Sequence, residues 1–243
     1  MIQTVHQSQP ENNTAHRFLA PKGGWGWLVL PIVLMFLGSY TVWAIFMIRL
    51  HDPALAGQES LAIAPLFWSI LQVMLFIIAF TQLRRYGISM KEMIGVSKER
   101  ALLDVAYGLG LAIVSSAIIA IVQGYLGFAF LGKMAKQTSN HPPFYRWALV
   151  YWTTIGAITA GIGEEFYFRG FLMARLNKMK PVWLVIITSL AFAFWHLSPF
   201  MLLHTFVIGI IFATVYLHTK RLFPVILAHI LTNVIGGIFM MSS

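Results

Sequence analysis

Long apolar stretches fill this chain almost without interruption, and its polar residues fall into short clusters between them. Runs at 25–48, 61–82, 103–131, 147–176, 182–197, 201–219 and 223–241 reach or approach the ~20 apolar residues that cross a bilayer as an α-helix. Short segments of strictly alternating polarity, the mark of a membrane β-barrel, do not occur. The pattern predicts an all-α protein, a polytopic transmembrane helical bundle of about seven spans (roughly six to eight).

The polar clusters set the boundaries. Residues 1–24 are polar and are expected to form a flexible tail. The run at 25–48 is too long for the apolar part of a signal peptide and lacks a small-residue cleavage site. It reads as a retained first span, with Trp25 and Trp27 placed for the membrane interface. RLHDPALAGQES reads as a polar connection, and the basic loop LRRYGISMKEMIGVSKER predicts a short amphipathic helix at the membrane surface. The third run is long for one span and is expected to tilt or to break near Gly124. KMAKQTSNHPPFYR carries turn signals at Asn140, Pro142 and Pro143, NKMKP follows the fourth run, and Pro199 ends the fifth. No internal repeat or low-complexity segment is evident. Three parts result: the tail at 1–24, N-terminal transmembrane helices at 25–146, and a transmembrane core at 147–243.

Composition narrows the chemistry. The chain is 58% hydrophobic and 10% charged and has no cysteine, which removes disulfides, thiolate metal ligands, cysteine nucleophiles and a C-terminal prenylation signal. The net charge of +9 comes from Lys and Arg at span ends, the ordinary topology signal of membrane proteins, so no nucleic-acid partner is expected. With the N-terminus in the cytoplasm, twelve of these residues fall on the cytoplasmic side and four on the other. The expected setting is a cell membrane, crossed several times, with the lipid bilayer as the first partner.

Glu164 and Glu165 are the only acidic residues from position 105 to the C-terminus, and they stand side by side in an apolar run. An ionised carboxylate in hydrocarbon must be paired, hydrogen-bonded or turned to a wet cavity. Glu165 and Arg169 are four residues apart and share a helix face, in the favourable order for an ion pair. Glu164 is rotated by ~100° from Glu165 and cannot serve Arg169 equally well. One carboxylate is thus neutralised within its helix and the other is left to project elsewhere. A plain packing clamp between helices would explain the Glu165–Arg169 pair but not the second acid.

Other polar groups recur on later spans. His196 follows Phe192 by four residues, and His229 and Asn233 are again four apart on one face. His204 and His218 read as histidines satisfied by a neighbour. At ~1.5 Å per residue, Glu164 lies ~18 Å from the cytoplasmic end of its span, His196 ~21 Å, Asn233 ~15 Å and His229 ~10 Å, so the four could meet in one cavity. A carboxylate, two imidazoles and a carboxamide suit hydrolysis. The carboxylate can act as general base for water, one imidazole can orient that water, and a second imidazole with an amide can donate to an oxyanion. Neither a nucleophilic side chain nor a cofactor or metal is required.

At these residues the chain resembles a known family. EEFYFR matches EExxxR, FAFWH matches FxxxH, and HILTN matches HxxxN, in order on successive helices. This is the pattern of the CAAX protease and bacteriocin-processing family, the glutamate-dependent intramembrane endopeptidases related to type II CAAX prenyl endopeptidase. The resemblance covers roughly 147–240 and would make 147–243 the catalytic core. It implies that Glu164 with His196 activates water, that His229 with Asn233 forms the oxyanion site, and that Glu165, Arg169 and Phe192 are structural support. It also implies a peptide or membrane-protein substrate, in bacteriocin or CAAX-like processing or in self-immunity. Two other readings use the same residues. Glu164, His196 and His229 would make a two-His, one-carboxylate zinc set for a zinc-dependent membrane protease. A non-catalytic scaffold or immunity protein would hold a peptide in the same cavity.

Overall fold

A computed structural model describes residues 24–126 and 143–242. The described residues form helices α1 (Gly26–Leu50), α2 (Pro53–Arg85), α3 (Met90–Ile94) and α4 (Ala101–Leu126), then a composite rod from Pro143 to Arg175, then α8 (Pro181–Trp195), α9 (Pro199–Thr219) and α10 (Phe223–Ser242). The rod comprises α5 (Pro143–Tyr151), a π-helical segment (Trp152–Gly156), α6 (Ala157–Glu165), a second π-helical segment (Phe166–Leu172) and α7 (Met173–Arg175). Among the described residues, α1, α2, α4, α9 and α10 are each long and apolar enough to cross a membrane. The chain is an all-α, multi-pass membrane protein, with a helical rod at each of the seven apolar runs.

The helix boundaries differ from the apolar runs where local chemistry intervenes. RLHDPALAGQES is not a connection: α1 ends at Leu50, His51 adopts a left-handed conformation, and α2 starts at Pro53. Asp52 caps α2 by accepting from the backbone N–H groups of Ala54 and Leu55, and Pro53 fits the first helical position. The resulting 33 residues are ~50 Å long, which exceeds the ~30 Å hydrocarbon core. The surface helix is reduced to α3, closed by a Ser89–Glu92 capping box and docked by its buried Met93 onto Gly170. Trp27 packs edge-on against Phe171, while Trp25 is exposed. The tail to residue 23, the end of the third run, and the turn signals at Asn140 and Pro142 lie outside the described residues.

Two helices flank α6, and both approach it through glycine. A Cβ on Gly163 would stand 2.2 Å from the Gln72 carbonyl oxygen on α2, and one on Gly161 would stand 3.2 Å from the Ile226 carbonyl oxygen on α10. Small residues let membrane helices approach to backbone contact, which puts the Glu164–Glu165 pair between α2 and α10. In the first π segment, Thr153 and Thr154 donate their hydroxyls to the Leu149 and Val150 carbonyls. A π turn inserts one residue and re-phases the helix by ~100°, so α6 presents its face independently of α5.

The basic ends of the rods come together at one end of the bundle. Arg221, before α10, pairs with buried Asp104 at the start of α4, and Arg175 donates to the Tyr86 hydroxyl. The Leu222 N–H donates to the Met93 carbonyl, tying α3 to the α9–α10 turn.

Candidate active site

Five side chains from three rods come together, the paired carboxylates among them. Glu164 is 2% exposed, Glu165 0%, Arg169 1%, Gln72 2% and His229 7%. Glu165 Oε1 accepts from Arg169 Nη1 at 3.1 Å and from His229 Nδ1 at 2.8 Å. A carboxylate only accepts, so His229 carries a proton on Nδ1 and turns Nε2 the other way. Nε2 stands 3.9 Å from Glu164 Oε2. Glu164 Oε1 accepts from Gln72 Nε2 at 3.0 Å, while Oε2 is buried without a hydrogen-bond partner.

Arg169 is held on three sides. Besides Glu165, it donates to the Gly209 carbonyl on α9 at 3.4 Å, and its guanidinium lies 4.2 Å from the centroid of the Phe192 ring. Phe192 is a hub, edge-on to Phe168, His196 and His229 at centroid distances of 5.4, 5.1 and 5.9 Å.

His196 ends α8, a helix of only 15 residues, or ~22 Å. The chain reverses through Leu197, at φ 48°, and Ser198 before Pro199 starts α9. This turn leaves the His196 ring inside the bundle. Its Nδ1 donates to the Phe192 carbonyl at 2.9 Å, so Nε2 of the neutral ring is an acceptor. His196, His229 and Asn233 line one cavity of about 60 Å³, together with Phe192 and Phe212. That volume exceeds the ~10–15 Å³ needed for a water. His204, read from the sequence as an ordinary satisfied histidine, is buried in the same wall. A larger apolar recess of about 440 Å³ opens between α2, α6 and α10, with Gln72 and Gly163 in its wall.

All the predicted residues thus fall in one neighbourhood. Glu164 Oε2 lies 3.9 Å from His229 Nε2, and His196 and Asn233 share a cavity with that ring, whose lining does not include Glu164. Sequence reading missed Gln72, Thr159 and Ser69. Thr159 donates to Gln72 Oε1 at 2.9 Å and lies 3.0 Å from Ser69 Oγ. The available signal was Ser69 and Gln72, two polar residues one helical turn apart in an otherwise apolar run.

Residues 146–235 match the family model of the type II CAAX prenyl endopeptidase Rce1-like proteins. Over these residues the chain is similar to that family. The match includes Glu164, Glu165, Arg169, Phe192, His196, His229 and Asn233 and excludes α1 to α4. The family of that model is one of membrane-embedded CAAX-type proteases. No curated protein and no solved structure matches the chain.

Proposed function

We propose that this protein is an intramembrane endopeptidase in which Glu164 is the general base. The observation that carries the reading is the buried Oε2 of Glu164, which has no hydrogen-bond partner and stands 3.9 Å from Nε2 of His229, the ring that lines the cavity with His196 and Asn233. Water in the cavity gives a proton to Glu164, oriented by the acceptor Nε2 of His196, and its oxygen attacks the scissile carbonyl carbon. The carbonyl oxygen takes the negative charge and receives hydrogen bonds from the Asn233 amide and from His229 Nε2. With Nδ1 already donating to Glu165, His229 makes that second bond when its ring carries both protons. Collapse of the tetrahedral intermediate breaks the C–N bond, and Glu164 returns its proton to the leaving amine. Glu165, Arg169 and Phe192 hold this arrangement.

The substrate proposed is a peptide or membrane protein processed in the bilayer, of bacteriocin or CAAX-like type, or one handled in self-immunity. The apolar recess beside Gln72 suits the apolar side of such a chain. The test compares membrane peptides from cells carrying the native chain or Glu164→Gln, by mass spectrometry. A precursor that accumulates only with the variant names the substrate. Identical peptide profiles at equal protein levels would favour a scaffold.

A further inference from the structure

We propose that Gln72, on α2 and outside the residues that match the Rce1-like family model, is a positioning residue that holds the Glu164 carboxylate by one oxygen and leaves the other turned toward Nε2 of His229. This rests on the reading of Glu164 as the base.

The polarity of the contacts orients the Gln72 amide. A carboxylate accepts only, so the Gln72 NH2 faces Glu164, with Nε2 3.0 Å from Oε1. The amide oxygen must then accept, and the Thr159 hydroxyl donates to it at 2.9 Å. With its proton used, Thr159 can accept from Ser69 Oγ at 3.0 Å. The Gly156 carbonyl, 3.1 Å from Thr159 Oγ1, is a second acceptor for the same proton. A directed chain runs from Ser69 through Thr159 and Gln72 to Glu164, and it ends on the oxygen that faces away from His229.

An independent feature points the same way. Gly163 admits the Gln72 carbonyl to within 2.2 Å of where a Cβ would stand. Any larger residue there would push α2 outward and lift the amide off the carboxylate. Glu164 would then keep neither of its oxygens bonded, and its carboxyl would turn freely about its last bond. The N-terminal helices, which carry none of the three motifs, thereby supply one wall of the site.

The test uses the full chain in proteoliposomes and the membrane-permeant probe dicyclohexylcarbodiimide, which modifies buried carboxyls. Fragment mass spectrometry follows labelling at Glu164 and Glu165 separately. Gln72→Leu is expected to raise the Glu164 rate about ten-fold, the scale of one hydrogen bond to a charged group, with Glu165 unchanged. Thr159→Val, which keeps Gln72 but frees its amide oxygen, is expected to give a smaller rise and serves where Gln72→Leu does not fold. On the accumulating precursor, kcat falls and KM holds. An unchanged Glu164-to-Glu165 labelling ratio in both variants, or an equal rise at both acids, overturns the proposal. Cleavage by Glu164→Gln would remove the base reading and leave the labelling result standing, so the two failures are distinct.

Discussion

His229 Nδ1 donates to Glu165 Oε1 across 2.8 Å, linking α10 to the end of α6. Glu165 therefore orients the imidazole as well as neutralising Arg169. The two tasks of the ring separate by substitution. In His229→Asn, the side-chain NH2 takes the place of Nδ1 and keeps the Glu165 bond, but Nε2 is gone. Folding is expected to survive, with kcat down by about 10²–10³-fold, the usual loss for one oxyanion donor. His229→Leu loses both, and the weakened pairing of Glu165 costs a further ~1–3 kcal/mol of stability. Thermal unfolding in detergent and single-turnover cleavage read the two effects, and equal melting of both variants would contradict the assignment.

Arg169→Ala leaves Glu165 buried with His229 as its one partner. Removing one member of a buried ion pair costs about 3–5 kcal/mol, so the variant is expected to accumulate poorly and melt early. Arg169→Lys should recover only part of this. An ammonium cannot reach Glu165 and the Gly209 carbonyl while stacking on Phe192 as the planar guanidinium does. Melting temperature in a fixed lipid mixture is the readout.

Gly163→Ala introduces a methyl 2.2 Å from a backbone oxygen, which yields only if α2 shifts. The expected cost is about 1–3 kcal/mol, with a loss of cleavage beyond what stability explains. Gly110→Ala on α4, where a Cβ meets nothing within 4 Å, is the control and is expected to be neutral or slightly stabilising.

Cleavage is expected to withstand strong chelators. Among the described residues, no group of three or more His, Asp or Glu side chains is arranged to hold one ion. Loss of activity in chelator, recovered by added zinc, would return the two-His, one-carboxylate reading.

Much of the site was legible because charge and imidazole stand out against hydrocarbon: Glu164, Glu165, Arg169, His196, His229 and Asn233 are visible in the sequence as expensive residues. Gln72 was not, because it has no charge and no imidazole one turn away, as Asn233 has in His229, and its worth depends on what faces it. The start of α2 carried its own signal, Asp52 before Pro53, which the polarity of the following residues masked. The π segments around α6 leave no trace in the polarity pattern, since one inserted residue changes the phase of the helix and not its composition. The turn at Leu197 that keeps His196 inside the bundle has no glycine to announce it.

The central claim is that Glu164 removes the proton from water. The most direct measurement takes the precursor recovered from Glu164→Gln membranes and presents it to purified native and variant protein in proteoliposomes. Native protein is expected to cleave it at one peptide bond. The variant should bind it with similar KM, melt at the same temperature and turn it over at least ~10²–10⁴-fold more slowly, the contribution of a general base. A folded variant that cleaves within a few-fold of the native rate would contradict the account.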